Sequence, residues 1–257
     1  MNTVTNEVTE DKVLGGRLRI RQPRRGHRVG HDAILLAAAV PARPGARAVE
    51  LGAGVGAAAL ALAARVPEVD VTLVEIDPML AALAQDNIAL NGFADRLRIA
   101  VCDVTDPTAR AAAGLAPGSA TQVLMNPPFH DPARQNASPD PNRARAHVAR
   151  PDGLRAWISA ARHLLASDGD LTLIWRADGL GGILQELESG FGAVTVMPVY
   201  PGPGRPAIRV LVRAVRNSRA PLAVAPGLVL NTADGRPAPE AEAILRHGAS
   251  LMPNDAG

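Results

Sequence analysis

The sequence contains one cysteine, Cys102, and one lysine, Lys12, and aromatic side chains make up only 2% of its 257 residues. A single cysteine excludes a disulfide framework and a zinc site built from cysteines. No uninterrupted apolar run approaches the roughly 20 residues that a membrane-spanning helix needs, and the polar first twelve residues do not resemble a signal peptide. Neither a GxSxG motif nor a P-loop occurs. We therefore expect a cytoplasmic protein without membrane contact, whose core is built from Ala, Leu, Val and Ile.

Every basic residue other than Lys12 is an arginine, yet the formal net charge is only +2. Arginine is the better side chain for bidentate phosphate contact, but a GC-rich coding sequence also produces a protein rich in Ala and Arg. The net charge by itself therefore does not indicate a nucleic-acid partner.

Strand patterns alternate with helical patterns from residue 47 onward. The predicted strands are Ala48–Leu51, Val71–Glu75, Leu97–Val101, Gln122–Met125 and Asp170–Trp175. The predicted helices end near Arg65, run from Pro78 to about Asn91, and cover Trp157–Leu165 and Leu180–Ser189. Strands that alternate with helices at this spacing predict a parallel sheet with helices on both faces.

Two further strand patterns, Val194–Val199 and Ile208–Val212, are separated by a short loop. A parallel crossover needs a dozen or more residues, so the short loop predicts an antiparallel pair. We expect an α/β fold with a doubly wound, mostly parallel, seven-stranded Rossmann-like sheet that ends in an antiparallel hairpin. This arrangement is typical of class I methyltransferases, whereas dinucleotide dehydrogenases continue in parallel.

Four segments divide the chain in this interpretation. Residues 1–12 form a disordered polar tail, and residues 13–45 form a basic hairpin followed by a short helix, Ala33–Val40, with Asp32 as its N-cap. Residues 46–217 form the catalytic core. Residues 218–257 form a C-terminal extension with a strand at Gly227–Leu230 and a helix at Glu240–His247.

A glycine-rich turn follows the first strand of the core, in the segment Glu50-Leu51-Gly52-Ala53-Gly54-Val55-Gly56. Glycines at a strand–helix turn let the backbone approach a ligand and present N–H groups at a helix N-terminus. Alone the turn is weak evidence, because Gly52, Gly54 and Ala57 also satisfy a loose dinucleotide fingerprint.

Acidic residues at the ends of the next two strands sharpen the interpretation. The second strand closes with Glu75-Ile76-Asp77, where a carboxylate can bind ribose hydroxyls, and the third is followed by Asp103-Val104. Together with Glu50 these carboxylates would surround one crevice at the carboxyl edge of the sheet. Acidic surroundings suit a cationic sulfonium and disfavour a diphosphate, so the pattern favours S-adenosylmethionine over NAD.

The fourth strand ends in Asn126-Pro127-Pro128-Phe129, the most specific feature of the sequence. The two prolines remove N–H donors and stiffen the backbone. The Asn126 side-chain carbonyl and the Pro127 backbone carbonyl could both accept hydrogen bonds from one –NH2 group, and Phe129 offers a face for a flipped base or a planar amide. The motif predicts methyl transfer to a planar nitrogen. His130 and Asp131 adjoin it and could assist.

These motifs resemble those of class I methyltransferases with an NPPF/Y motif, and within that group the valine-tRNA adenine-N6 methyltransferases, also called methyltransferase small-domain proteins. The finer resemblance rests on residues 22–36, 204–212, 228–235 and 240–246. It implies that Gly30, His31 and Asp32 lie near the amino-acid end of the cofactor. It also implies a tRNA partner, with transfer to the N6 amino group of an adenine next to the anticodon.

The Asn-Pro-Pro motif does not by itself fix the methyl acceptor. A protein glutamine N5-methyltransferase acting on release factors shares the motif, because a glutamine amide also presents a planar –NH2. The sequence also allows a cofactor-binding protein without catalysis and, more distantly, a dehydrogenase.

The basic segment before the core is either a tRNA-binding patch or a solvated strand face. Its arginines are Arg17, Arg19, Arg21, Arg24, Arg25 and Arg28. His27 and His31 are four residues apart without further ligands, so we expect no metal site. The loop 130–152 is a candidate lid, Arg209 and Arg213 are expected on the wet face of a strand, and the oligomeric state is not indicated.

Overall fold

A computed structural model describes residues 7–25, 28–128 and 153–251 of the chain. The helices are α1 (His31–Ala39), α2 (Ala57–Arg65), α3 (Pro78–Leu90), α4 (Pro107–Ala112), α5 (Gly153–Leu164), α6 (Leu180–Leu187) and α7 (Pro239–His247). The strands are β1 (Val8–Val13), β2 (Leu18–Pro23), β3 (Arg47–Leu51), β4 (Asp70–Glu75), β5 (Leu97–Val101), β6 (Ala120–Met125), β7 (Leu165–Arg176), β8 (Phe191–Tyr200), β9 (Arg209–Arg216), β10 (Ala223–Val224) and β11 (Leu228–Val229).

The central sheet has the strand order β10-β8-β9-β7-β6-β3-β4-β5, with β11 also paired to β8. Strands β5, β4, β3, β6 and β7 are parallel, and β9 is antiparallel to both of its neighbours, β7 and β8. This confirms the predicted α/β class and the antiparallel ending. Strand β11 lies within the strand predicted at Gly227–Leu230, and β10 is a further short strand paired with β8 in the described sheet.

Two apolar layers cover the faces of the sheet. One contains α1, α2 and α7 together with the buried residues of β2, and the other contains α5 and α6. Helix α2 shows why the chain needs few aromatic residues, since seven of its nine residues are buried and five of those are alanines. Because alanine side chains are small, helices can pack close to their neighbours, and the core reaches a normal packing density without large aromatic rings.

The N-terminal segment differs from the expectation of a disordered tail through residue 12. Residues 8–13 form β1, which pairs antiparallel with β2 from Val8↔Pro23 to Val13↔Leu18. The carboxylates of Glu10 and Asp11 lie opposite arginines of the following segment. This pairing links residues that are apart in sequence, so a local polarity pattern does not reveal it.

The start of α1 also differs from the prediction. The helix begins at His31 with Gly30 as its N-cap residue, and no side chain caps it. Asp32 instead lies in the first helical turn, where its carboxylate accepts a hydrogen bond from Arg209 Nε at 2.9 Å. The Asp32 carboxylate, which the sequence pattern predicted as the helix cap, therefore binds Arg209, a residue 177 positions further along the chain.

Candidate active site

The glycine turn and the Asn-Pro-Pro motif lie side by side at the carboxyl edge of the sheet. Leu51 and Met125 are register partners on the parallel strands β3 and β6, so the residues that follow them, Gly52 and Asn126, leave the sheet together. The order of strands reverses between β3 and β6. In open α/β sheets such a reversal creates the crevice in which ligands bind.

Glu75 holds the glycine turn against the end of β4. Its carboxylate accepts hydrogen bonds from the backbone N–H groups of Gly54 at 2.7 Å and of Ile76 and Asp77 at 2.9 Å each. Gly54 has a φ of +56°, a left-handed conformation that suits glycine. Glu75 therefore shapes the turn directly, a role that the sequence pattern did not indicate.

Asp77 and Asp103 each use one oxygen for the local backbone. Asp77 Oδ1 accepts from Met79 N at 2.8 Å and caps α3, and Asp103 Oδ1 accepts from Thr105 N and Thr105 Oγ1 at 2.8 and 2.7 Å. Within the described residues, Oδ2 of each aspartate is not engaged in these bonds. Two carboxylate oxygens at neighbouring strand ends are thus left for a ligand.

Exposed apolar side chains lie at the same strand ends as these two aspartates. Ile76 is 46% exposed and Val101, at the end of β5, is 52% exposed, although both follow buried strand residues. The sequence pattern indicated Ile76 but not Val101. It also indicated Val104, which is buried in the second apolar layer and not at the surface. Exposed aliphatic side chains near two acids suit a planar ring with polar edges.

Glu50 lies behind the glycine turn. It is 5% exposed, and its Oε2 accepts a hydrogen bond from Ala59 N, in the first turn of α2, at 2.8 Å. Burial raises the pKa of the Glu50 carboxyl to about 8, with the nearby Glu75 carboxylate adding to the effect. Its main observed contact is therefore with the start of α2.

Asn126 presents the clearest chemical signal at this edge. Its Oδ1 is buried and has no hydrogen-bond partner among the described residues. Pro127 is buried beside it and Pro128 is exposed. His27, Phe129, His130 and Asp131, like the candidate lid 130–152, lie outside the described residues.

Trp157, on α5, covers one side of the glycine turn. A Cβ on Gly52 would overlap its indole ring, and Gly52 has a φ of +66°. Trp157 itself is half-buried. The sequence pattern placed Trp157 on a helix without a role in the site, because residues far apart in the chain give no local signal of their contact.

The segment predicted near the amino-acid end of the cofactor runs along the start of α1. Gly30 has open space where a Cβ would lie, and His31 is exposed. Asp32 forms an ion pair with Arg209, so the expectation that Arg209 only faces solvent is wrong. The same expectation is wrong for Arg213, whose Nε lies 2.6 Å from Asp170 Oδ1.

Most arginines of the basic segment form ion pairs with acidic side chains. Arg19 and Arg21 contact Glu10, Arg24 contacts Glu7 and Arg28 contacts Asp11. Arg17 donates to the His247 backbone carbonyl. The charge available for phosphate contact is thus smaller than the arginine count indicates. The described residues contain no cluster of potential metal ligands, and none of their helices is long and apolar enough to cross a membrane.

Comparison with known proteins shows the family to which the chain belongs. Residues 27–199 match the family described as methyltransferase small domain, which is more than half of the chain. The chain belongs to this family. It is an S-adenosylmethionine-dependent methyltransferase.

Similar proteins carry related names. A protein of Erwinia tasmaniensis named tRNA1(Val) (adenine(37)-N6)-methyltransferase is 30% identical over 187 residues, which cover 72% of this chain and 74% of that protein. A protein of the same name from Porphyromonas gingivalis is 34% identical over 157 residues, 60% of each chain. The match therefore spans less than two thirds of the Porphyromonas relative.

Solved structures support the fold. A crystal structure from Agrobacterium tumefaciens, described as a predicted O-methyltransferase, aligns with a TM-score of 0.73 at 30% identity and covers 86% of this chain and 98% of its own. An S-adenosylmethionine-dependent O-methyltransferase from Thermotoga maritima aligns with a TM-score of 0.51 at 18% identity, covering 76% of this chain and 68% of its own. At that identity the second comparison concerns the fold alone.

The residues at the carboxyl edge fit S-adenosylmethionine. The cofactor combines an adenosine with a positively charged sulfonium that carries the transferable methyl group. The unused oxygens of Asp77 and Asp103 suit its polar and cationic groups, and the exposed surfaces of Ile76 and Val101 suit its ring. Gly52, Ala53 and Gly54 would allow a close backbone approach, and Gly56 is the N-cap residue of α2.

Proposed function

We propose that this methyltransferase transfers the methyl group to the exocyclic N6 amino group of an adenine in tRNA, next to the anticodon. One observation carries the chemical part of the proposal. Asn126 Oδ1 is a buried acceptor without a partner in the described residues, at the point where β3 and β6 end together. A substrate –NH2 group would supply the missing donor.

The energetics of a buried acceptor favour such a role. An acceptor that is removed from water and left unpaired costs about 1–3 kcal/mol. That cost is recovered when a substrate amine donates to Asn126, and the bond strengthens as positive charge develops on the attacking nitrogen. The Pro127 carbonyl would accept the second N–H and thereby aim the nitrogen lone pair at the methyl group.

The RNA part of the proposal rests on relatives. Two proteins at 30% and 34% identity carry the name of a tRNA adenine-N6 methyltransferase. The Agrobacterium structure, at similar identity, carries an O-methyltransferase description. The pair of acceptors, Asn126 Oδ1 and the Pro127 carbonyl, suits an –NH2 substrate better than a hydroxyl, because the amine can donate a hydrogen bond to each of them and release its extra proton to water after the methyl group is transferred.

The test is radiolabel transfer from methyl-labelled S-adenosylmethionine into bulk tRNA and, in parallel, into release-factor protein, both from a strain deleted for this gene; the tRNA is then digested to nucleosides. Label in N6-methyladenosine supports the proposal. Label in a 2′-O-methylated nucleoside, or only in release-factor protein at glutamine, would replace it with the corresponding reaction. Cofactor binding without transfer to any of these pools would favour a protein that binds but does not catalyse.

Asn126→Ala tests the observation itself. We expect at least about a 100-fold loss of transfer, comparable to the loss of one donor or acceptor at a developing charge, with the dissociation constant of S-adenosylmethionine nearly unchanged. The matched control is Gln122→Ala, in the first half of β6, because Gln122 is also a buried amide with an unpartnered Oε1 among the described residues. Equal transfer losses in the two variants would contradict the assignment.

A further inference from the structure

Two asparagines, Asn87 on α3 and Asn91 at its C-cap, pair with the free edge of β2. Asn87 accepts a hydrogen bond from Arg21 N at 2.7 Å and donates to Arg21 O at 2.9 Å. Asn91 accepts from Arg19 N at 2.9 Å and donates to Arg19 O at 2.7 Å. Each side-chain amide thus engages both backbone groups of one strand residue.

The spacing of helix and strand explains why this pairing works. Residues four apart on a helix are about 6 Å apart along its axis, and residues two apart on a strand are separated by about 6.7 Å. Alternate residues of an antiparallel strand turn their N–H and C=O groups away from the partner strand. Those of Arg19 and Arg21 would otherwise form an unpaired edge.

The two asparagines differ in their remaining hydrogen bond. The second N–H of Asn91 donates to the Asn87 backbone carbonyl at 2.8 Å, in the last turn of α3. The second N–H of Asn87 donates to the carbonyl of Val55 at 3.0 Å, inside the glycine turn. Asn87 is completely buried and Val55 is 8% exposed, so water does not easily replace this contact.

We propose that Asn87 is a positioning residue for cofactor binding, which couples the N-terminal hairpin to the glycine turn through the Val55 carbonyl. The turn has left-handed glycines on both sides of Val55, and the N–H of the peptide that joins Val55 to Gly56 donates to the Ala53 carbonyl at 2.8 Å. Fixing the Val55 carbonyl restricts the turn to one conformation before the cofactor arrives. Asn91 docks the same strand but does not contact the turn, and it therefore contributes only to stability.

The matched variants Asn87→Ser and Asn91→Ser separate these two roles. Both remove a two-bond contact with β2, so both should lower the midpoint of thermal unfolding. Only Asn87→Ser should weaken S-adenosylmethionine binding, by about tenfold, when the dissociation constant is measured by calorimetry well below both midpoints. Asn91→Ser should remain within about twofold of the wild type. Equal changes of the dissociation constant, or none for Asn87→Ser, would overturn the proposal.

A second measurement uses the unmodified protein and does not depend on whether a variant folds. Coupling is reciprocal, so cofactor that orders the glycine turn must also stabilise the groups held by Asn87. Saturating S-adenosylmethionine should slow hydrogen exchange of the Arg21 amide several-fold more than that of the Arg19 amide, which Asn91 holds. Equal protection of the two amides would contradict the coupling. Neither experiment depends on the identity of the methyl acceptor.

Discussion

A buried carboxyl at the start of α2 predicts that folding stability depends on pH in an unusual direction. Burial raises the pKa of Glu50 from 4.5 to about 8. Between these values the folded protein holds a proton that the unfolded chain has lost. Stability is therefore greatest below about pH 4.5 as far as this group is concerned, falls as pH rises through the window, and is lowest above about pH 8.

The magnitude follows from the width of this window. Each pH unit within this window lowers the free energy of unfolding by about 1.4 kcal/mol, so the whole window lowers it by on the order of 4–5 kcal/mol. For a domain of this size about 1 kcal/mol changes the unfolding midpoint by roughly 2–4 °C. The contribution of Glu50 to the midpoint between pH 5 and pH 8 is thus about 10 °C.

The variant Glu50→Gln isolates this contribution. Glutamine keeps a carbonyl oxygen for the Ala59 N–H at the start of α2 but has no proton to lose in the window. The measurement is the unfolding midpoint of both proteins from pH 5 to pH 8.5, in buffers of equal ionic strength. We expect the variant to gain stability relative to the wild type as pH rises, with the difference levelling off above pH 8.

Other titrating groups do not interfere with this comparison. The pKa values of Glu10 and Asp11 are lowered, chiefly by hydrogen bonds from Arg19 and Gln22 respectively, and lie below the window. All other ionisable groups are common to both proteins, so their contributions cancel in the difference. Parallel pH profiles for wild type and Glu50→Gln would refute the assignment of a buried, proton-holding carboxyl.

Two further predictions concern contacts around the cofactor crevice. Gly52→Ala should weaken S-adenosylmethionine binding at least about tenfold, because it combines left-handed strain with overlap of the Trp157 ring; the double variant with Trp157→Leu should recover part of the affinity in calorimetry, and no recovery would argue against the contact. Asp32→Asn and Arg209→Gln should each lower the free energy of unfolding by roughly 1 kcal/mol in urea titrations. Because both substitutions remove the same 2.9 Å ion pair, the double variant should be no less stable than the less stable of the two single variants.

The parallel core was predictable from sequence because its signals are local. Val71–Glu75 is a short β-branched run ended by acidic residues, and the observed strand is Asp70–Glu75. The same is true of the strand that ends at Met125. Helix α4 was missed although it carries a local signal, since Asp106 is its N-cap and Pro107 occupies the first helical position.

The parts of the structure that the sequence patterns did not reveal depend on contacts between distant residues. Strand β1 pairs with β2 along its whole length, and Asp32 forms an ion pair with Arg209 in β9 instead of capping its own helix. The approach of Trp157 to Gly52 joins residues that are separated in the chain by β4, β5 and β6. No periodicity or spacing within one element encodes such partners, so only the assembled fold reveals them.

The acidic residues at the sheet edge show why residue type alone does not assign a role. A carboxylate has about four acceptor positions, and Glu75 uses three of them on backbone N–H groups of its own turn and of the glycine turn. Asp77 and Asp103 use only one oxygen each in this way. Alanine at any of these positions would therefore disturb the backbone and the ligand contact together. Because an amide retains the acceptor oxygen but not the charge, asparagine or glutamine is the substitution that separates the loop-holding function of these residues from their electrostatic attraction for a cationic cofactor.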